Sequence, residues 1–499
     1  MARRAMVRGN EGEGRARRTG RALIACAVAA LLASCSFMAP EEPTVSVSAP
    51  IASRTINSPE TSLGARQHPR IVSAYGGVYS DPKTEAAVAR VVGRLVAASD
   101  DPSRTYRVTI LNSPSVNAFA LPGGYVYVTR GLLALAEDSS EVAAVLAHEM
   151  GHITAQHAIQ RQKRAEAAAV VSRVADAVQD PQAAQTAKAS AELSLARFSQ
   201  TQELEADAIG VKTLARAGYD PFAAARFLTA MGRFAALKAS RQSSANGRPD
   251  FLSSHPSTPE RIELATREAR QYAGPDTGEQ DRDAYLQNLE GMLYGDDPRE
   301  GFVRGNAFLH RELGIGFTVP QGFLLDNTPR AVLASDGGNI AMRFDGVDIP
   351  QDMSLQDYLR SGWVNGLVDD SVRATTVGAL PAATASAISE GWSFRIAIVR
   401  VGSRAYRFIF AAATPSAQFE AAFASTIASF HRLNPNEIAD LKPLRVHVVR
   451  TTPTDTIDSL AARMKYSDPT YRKQLFLVLN QIPEGSALVP GTLVKIIGD

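Results

Sequence analysis

Apolar residues in this chain keep two different periods, and the change from one to the other divides it. Behind Asp81-Pro82, a helix-starting pair, Val88, Val91, Val92, Leu95 and Val96 recur at helical spacing. Tyr106, Val108 and Ile110 then alternate, which predicts a strand. Two further runs, Ala118 to Leu121 and Tyr125 to Thr129, flank Pro122-Gly123-Gly124 and read as a hairpin. Val142, Leu146 and Ile153 form the apolar stripe of a helix over residues 140–154. Ser139 and Ser140 can cap that helix, and Glu141 suits its first turn. Helices are also predicted over residues 202–210, 221–238 and 259–272. From Leu309 to about Leu433 the period becomes that of strands, as in Gly314 to Val319, Ile340 to Phe344 and Ala405 to Ala411. A helix from Phe419 to Phe430 closes this stretch, and residues 445–497 read strand, helix, helix, strand. The fold class that follows is α+β. A mainly helical domain with a small edge-strand sheet precedes an α/β sandwich-like domain and a small β-α-α-β module.

The chemistry sits on the helix over residues 140–154. It contains His148-Glu149-Met150-Gly151-His152, and each helical residue turns about 100°. His148 and His152 therefore lie about 40° apart, one turn above the other, and can grip one zinc ion from a single face. Glu149, about 100° round, can take a proton from an attacking water. A glycine inside a strong helix costs about 1 kcal/mol against alanine, so Gly151 marks a place where something packs closely. The plain alternative is a chance pair of histidines, and a third ligand downstream decides between them. His157 lies about 180° from His148 if the helix continues, so it reads as a surface or second-layer histidine. The segment Gln202 to Gly210 is better placed. Glu203 and Asp207 are four apart and share a helix face, while Glu205 points elsewhere. One carboxylate can bind the metal and the other can orient a ligand histidine; the alternative is a solvated acidic face.

Taken together, His148-Glu149-Met150-Gly151-His152 and Glu203-Leu204-Glu205-Ala206-Asp207 resemble the HtpX and CAAX prenyl protease 1 family of gluzincins. The resemblance runs upstream through residues 117–132 and downstream to residues 254–262, and covers about residues 70–275. It implies a zincin fold with Glu203 as third zinc ligand, Asp207 as its outer partner and Glu149 as general base. It also implies that residues 117–121, with Asn117, Ala118, Phe119 and Ala120, form an edge strand for extended substrate; a free edge offers amides and carbonyls to any backbone. His255, in Ser254-His255-Pro256, is by the same resemblance a zinc switch or an oxyanion group, with Arg261 facing the oxyanion. The integral-membrane members differ from this chain, which has no run of 18 apolar residues. It sits closer to the soluble, periplasmic BepA-like branch, although no 34-residue repeat is found.

Composition changes the picture at the N-terminus. The chain has 499 residues, 45% hydrophobic and 21% charged, an ordinary globular balance. Its first 34 residues carry seven Arg and two Glu, so removing them takes the formal charge from +2 to −3 and leaves no case for nucleic-acid binding. Ala22 to Leu32 is too short to span a bilayer and suits a signal peptide. Leu32-Ala33-Ser34-Cys35 resembles a bacterial lipobox, which implies lipid on Cys35 and, with Ser36 next, the outer membrane. The only other cysteine is Cys26, so the domains hold no disulfide framework.

The domain reading is therefore a signal peptide at 1–34, a lipidated N-terminus and flexible tether at 35–70, and a zinc metallopeptidase domain at 71–275. A linker at 276–306, an α/β domain at 307–434 and a module at 445–499 follow. Pro320-Gln321-Gly322-Phe323 after a strand resembles the Mog1/PsbP-like sandwich, in which His310 and His431 read as structural. The last unit resembles a LysM module, with Thr454-Asp455-Thr456 where the family has Gly-Asp-Thr. The expected function is a lipid-anchored periplasmic metalloendopeptidase with one zinc ion, cutting misfolded or stalled envelope proteins in a Gram-negative bacterium. The alternatives are an assembly factor for outer-membrane proteins and a peptidoglycan hydrolase directed by the last module.

Overall fold

A computed structural model describes residues 59–163, 199–240, 251–275, 277–466 and 468–499. The signal peptide, Cys35, the tether up to residue 58, most of the excursion between the second and third ligands, and the polar loop 241–250 lie outside the described residues.

Helix α1 (Pro59–Ala74) occupies the end of the stretch read as a tether. Its residues Ala65, Ile71, Val72 and Tyr75 just beyond it pack on Leu111, Tyr125 and Tyr127, which gives the segment an apolar reason to fold. Helix α2 (Pro82–Ala98) begins as expected: the Asp81 side chain accepts from the Thr84 amide, and Pro82 stands in the first turn, where no amide is needed. Strands β1 (Arg107–Leu111), β2 (Ala118–Leu121) and β3 (Tyr125–Thr129) form one sheet in the order β1-β3-β2. β1 runs parallel to β3, and β2 pairs with β3 as an antiparallel hairpin. Gly123 and Gly124 sit at φ +87° and +83° in its turn, a region in which only glycine is free of strain. The other edge of β2 carries no strand among the described residues.

Helices α3 (Arg130–Leu135) and α4 (Ser139–Thr154) follow, and α4 is buried from Ser139 to His152. Its cap is Asp138, whose side chain accepts from the Glu141 amide, and not Ser139 or Ser140. Those serines are buried, and the Ser140 hydroxyl is turned to the Glu279 carbonyl instead. Helix α5 (Gln200–Arg216) starts with a capping box between Ser199 and Gln202. Helices α6 (Ala223–Ala239), α7 (Phe251–Ser254) and α8 (Pro259–Ala269) complete the helical layer.

The stretch read as a linker is built into the fold. It holds α9 (Arg282–Leu289), β4 (Leu293–Tyr294) and β5 (Phe302–Arg304). Leu286, Leu289 and Met292 enter the same core as α2 and α4. The β-rich part contains β6 (Ala307–His310), β7 (Ile315–Thr318), β8 (Leu324–Asn327), β9 (Val332–Ser335), β10 (Ile340–Asp348), α10 (Leu355–Arg360), β11 (Arg373–Val377), β12 (Leu380–Ser389), β13 (Trp392–Val401), β14 (Arg404–Ala412), α11 (Ala417–Ser429) and β15 (His431–Arg432). Its sheets run β15-β7-β6-β5 and β11-β12-β13-β14-β10-β9-β8. Phe308, Phe317, Phe344 and Phe408 fill the core between them. The chain ends in β16 (Leu444–Arg450), α12 (Ile457–Ala462), α13 (Pro469–Leu479) and β17 (Leu493–Gly498), with β4 as a third strand beside β16. The strand-helix-helix-strand order is as expected, and the whole is an α+β fold with a helical part followed by β-rich sandwich-like structure. Leu475, Phe476 and Ile497 of the last unit belong to the same buried core as α4.

Candidate metal centre

Two helices cross where they have no side chains to keep them apart. A Cβ on Gly151 of α4 would stand 2.9 Å from the Ala206 carbonyl oxygen of α5, and one on Gly210 would stand 3.1 Å from the His148 nitrogen. The glycine that cost helix propensity in the sequence thus admits the backbone of α5. That contact brings Glu203, one turn into α5, beside the two histidines of α4.

Four side chains converge there. Donor atoms of His148, His152, Glu203 and His255 all lie within 4.8 Å of one another, and all four residues are buried. The Nε2 atoms of His148 and His152 are 3.0 Å apart. Glu203 Oε2 is 3.5 Å from His148 Nε2, and Oε1 is 3.5 Å from His152 Nε2. Tetrahedral zinc with ligands near 2.0–2.1 Å separates its donors by roughly 3.3 Å, so these spacings fit one ion.

The outer contacts fix which nitrogen faces inward. His148 Nδ1 lies 2.8 Å from Asp207 Oδ1, so a neutral His148 with its proton on Nδ1 turns the Nε2 lone pair inward. Asp207 is itself held by Arg261, whose Nε and Nη2 donate to its two oxygens at 2.8 Å each. Arg261 Nη1 also lies 2.9 Å from Glu203 Oε2 and donates to the Pro256 carbonyl at 3.0 Å. The structure therefore places Arg261 behind the ligands, 2% exposed, and engaged on Asp207 and Glu203.

His152 has its own support, which sequence reasoning caught only in part. α4 ends at Thr154, and Gln156 turns the chain at φ +56°. This break returns His157 to the metal side, buried, with its Nδ1 2.9 Å from His152 Nδ1. His157 Nε2 is in turn 3.2 Å from Glu205 Oε2. A proton on His157 Nε2 and another on His152 Nδ1 leave the His152 Nε2 lone pair aimed at that of His148. Two such lone pairs 3.0 Å apart repel unless a proton or a metal ion sits between them, so the donor set suits a cation. His157 is thus a second-layer histidine and not a surface one. Glu205, read as pointing elsewhere, completes the relay. Nothing in the spacing of Glu205 signals this, because it depends on the break at Gln156.

Charge is distributed accordingly. Burial would lower His148, but Asp207 and Glu203 outweigh it and push the imidazole up to about 9. Burial, with the neighbouring His148 and His255 rings, holds His152 far below its ordinary range. Burial opposes ionisation of Glu203, yet His148 and His255 hold its carboxyl well below the usual carboxylate range. The cluster thus concentrates negative potential at one point, where it draws in a proton and equally suits a cation.

Glu149 lies beside this point without joining it. It is 1% exposed, and its Oε1 has no hydrogen-bond partner among the described residues. Burial raises its carboxyl above the ordinary value, which suits a group that must accept and return a proton. His255 Nε2 is 3.6 Å from Glu149 Oε1, and its Nδ1 is 2.9 Å from Glu203 Oε1. Phe251 stacks on the His255 ring at 4.5 Å, and its amide donates to the Val116 carbonyl just before β2. On the other side Glu149 and His152 line a small cleft bounded by Ala120, Leu121 and Pro122. Strand β2 presents Ala118 and Ala120 to the main core and Phe119 and Leu121 to the α1 side. Asn117, just before β2, is buried and donates to the Tyr75 hydroxyl at 3.2 Å.

Comparison with known proteins agrees with this geometry. Residues 82–269 match Peptidase family M48. The chain is similar to the β-barrel assembly-enhancing protease of Escherichia coli, 30% identical over 202 residues that cover 38% of this chain and 40% of that one. The Yersinia pestis protein of the same name is 30% identical over 201 residues, covering 38% and 40%. The mitochondrial metalloendopeptidase OMA1 of Schizosaccharomyces pombe is 30% identical over 217 residues, covering 41% of this chain and 59% of that one. The match thus spans between two fifths and three fifths of these relatives' length. A solution structure of cyanobacterial PsbP from Synechocystis aligns over 28% of this chain and 98% of its own at 14% identity, with a TM-score of 0.22. No similarity found supports a LysM identity for residues 445–499. The two histidines and the glutamate gathered around one point, with a buried glutamate beside it, thus lie within the residues 82–269 that match Peptidase family M48, and they suit a zinc-peptidase site.

Proposed function

We propose that this chain is a zinc-dependent metalloendopeptidase of the Gram-negative cell envelope, anchored by lipid on Cys35 and cutting misfolded or stalled envelope proteins. The observation that carries the reading is the junction of His148, His152 and Glu203 with Glu149 at one end of a cleft, beside the unpaired edge of β2. When bound, zinc supplies Lewis acidity toward water and the scissile carbonyl. Residues 117–121 receive the substrate backbone as an added strand. Glu149 takes the proton of the attacking water and hands it to the leaving amine. Asp207 and Arg261 hold His148 and Glu203 in place, and His157 with Glu205 holds His152. The envelope as compartment, and its proteins as substrates, are supported by likeness to proteases named for assembly of β-barrels.

His255 fits a resting plug better than an oxyanion donor. Its two nitrogens face Glu203 and Glu149, and it joins His148, His152 and Glu203 as a fourth donor at the position a metal-bound water would take. Replacing it with alanine should retain zinc and raise basal proteolysis; an oxyanion role would lower activity by roughly one to three orders of magnitude.

A second reading is favoured by the words "assembly-enhancing" in the relatives' names: a factor that assists outer-membrane assembly, with proteolysis secondary. Cells lacking the chain, supplied with wild type or Glu149→Gln, separate the two. The protease reading predicts that misassembled outer-membrane protein persists with Glu149→Gln. Full clearance by that variant would favour the assembly factor.

A further inference from the structure

We propose that the β-rich part of the chain holds a second binding site, a cleft that takes the last residue of a polypeptide by its free carboxylate and an apolar side chain. It shares no residue with the metal centre and does not depend on the protease reading. The cleft opens between the sheet of β6 and the sheet of β10 and β14, and it encloses about 350 Å³. With about 30 Å³ of liquid volume per water, that is room for roughly a dozen non-hydrogen atoms. One large residue with its terminal carboxylate is of that size, and a long acyl chain is not.

The space follows from one missing side chain. The register of β10 with β14 pairs Phe344 with Phe408, Gly346 with Tyr406 and Asp348 with Arg404, so these six positions share one face. Phe344 and Tyr406 lie nearly parallel with ring centres 5.7 Å apart, and Phe308 of β6 meets Phe344 at 5.8 Å. Gly346 offers no ring beside Tyr406, and the aromatic layer stops there. The Arg404 guanidinium lies over the gap: a Cβ on Gly346 would stand 3.0 Å from its Nε. The φ of Gly346 is outside the left-handed region, so its backbone does not call for glycine.

Charge at the mouth is one-sided. Arg299, Arg330 and Arg404 line the cleft with Glu300, Glu312 and Asp345. Asp345 accepts from Arg343 at 2.9 Å and from Arg407 at 2.7 Å. The Glu300 carboxylate is turned to Gly76, whose Cβ would stand 2.7 Å from its Oε1. Arg299 is paired with Asp297 at 2.8 Å. Among the described residues, Arg404 and the exposed Arg330 of the β8–β9 turn have no carboxylate closer than 4.0 Å. Glu312 is exposed at the rim, where its field falls on Arg299 and His310. A carboxylate can meet the planar fork of Arg404 with two parallel hydrogen bonds. Its side group then covers Leu313, Val332 and the edges of the three rings. An amidated end lacks the charge, and a terminal Asp would carry a second one onto the aromatic floor.

The test is binding of a short, fluorescently labelled peptide ending in Phe to the full chain carrying Glu149→Gln, which keeps the peptide whole. Amidating its C-terminus should weaken binding by about ten- to hundred-fold, as expected for loss of a charged hydrogen-bonded pair. A terminal Asp in place of Phe should weaken it as much. Arg404→Gln should erase the difference between acid and amide, and Arg330→Gln, on an exposed turn, should reduce it several-fold. Gly346→Val should fill the cleft and abolish binding. All three variants should keep the unfolding temperature and zinc content of the parent. Equal affinity for acid and amide, or no binding of either up to about 1 mM, overturns the site. So does a preference for the acid that is untouched by Arg330→Gln and Arg404→Gln. N-acetylphenylalanine binding as tightly as the peptide would overturn a polypeptide as the occupant and leave a small organic acid in its place.

Discussion

Lys495 Nζ lies 3.0 Å from Glu137 Oε1, and both side chains are buried. The same ammonium donates to the carbonyls of Ala134 at 2.9 Å and Ala136 at 2.7 Å, at the end of α3. Gln481 donates to Glu141 in the first turn of α4, and Arg282 reaches both Glu137 and the Leu493 carbonyl. The last strand of the chain is thus bolted to the entrance of the helix that carries the metal ligands.

Lys495→Met should therefore destabilise the peptidase domain, although it lies about 350 residues away in sequence. Removing one partner of a buried pair leaves Glu137 and two carbonyls short of a donor, at a cost of about 3 kcal/mol or more. Thermal unfolding should show a transition several degrees lower; an unchanged transition would mean the module adds nothing to α4.

Gly151→Val should lose zinc without touching a ligand. Its first side-chain carbon would stand 2.9 Å from the Ala206 carbonyl oxygen, a backbone atom that cannot step aside. α5 must move, and Glu203 moves with it, so metal content after dialysis should fall well below that of wild type. Gly151→Ala should show a weaker form of the same loss. Full zinc in both would detach the helix crossing from the site.

His157→Ala and Glu205→Gln should weaken zinc binding by different amounts. His157 touches His152 directly, so its loss should cost roughly ten- to hundred-fold in affinity. Glu205 acts one step further out and its side chain is half exposed, so its effect should be smaller. Competition with a chelator measures both, and equal affinities for all three proteins would contradict the relay.

Acid should loosen the joint between the sheet and the stretch after α9. Burial would raise Asp297, but hydrogen bonds from Arg299 and Asn112 hold its carboxyl down to about 2. The folded value lies below the unfolded value of about 3.9, so this stabilisation is full above that range and is lost as pH falls toward 2. Asp297→Asn should lower stability at pH 7 and flatten its dependence on pH between about 4 and 2; parallel wild-type and variant profiles would rule the residue out.

How much of this was legible follows the range of the interactions. His148, Glu149 and His152 follow from helix periodicity alone, and Gly151 announced a close neighbour that proves to be Ala206. β2, β3 and their turn follow from alternation and two glycines. The serines expected to cap α4 do not, because Asp138 takes the Glu141 amide and the Ser140 hydroxyl finds the Glu279 carbonyl, a partner distant in sequence. Residues 276–306 read as a linker because Leu286, Leu289, Met292 and Leu293 are few among polar neighbours. Each is nevertheless buried against elements far away in sequence. His157 and Glu205 depend on a helix break at a glutamine, for which the local sequence carries no signal.

The central claim is that Glu149 does the proton chemistry at a metal held by His148, His152 and Glu203. Casein hydrolysis by wild type and Glu149→Gln, each loaded with one zinc per chain, tests it most directly. Equal zinc in both, with hydrolysis by wild type and at least a hundred-fold less by Glu149→Gln, is the predicted result. Hydrolysis by Glu149→Gln at the wild-type rate would contradict it.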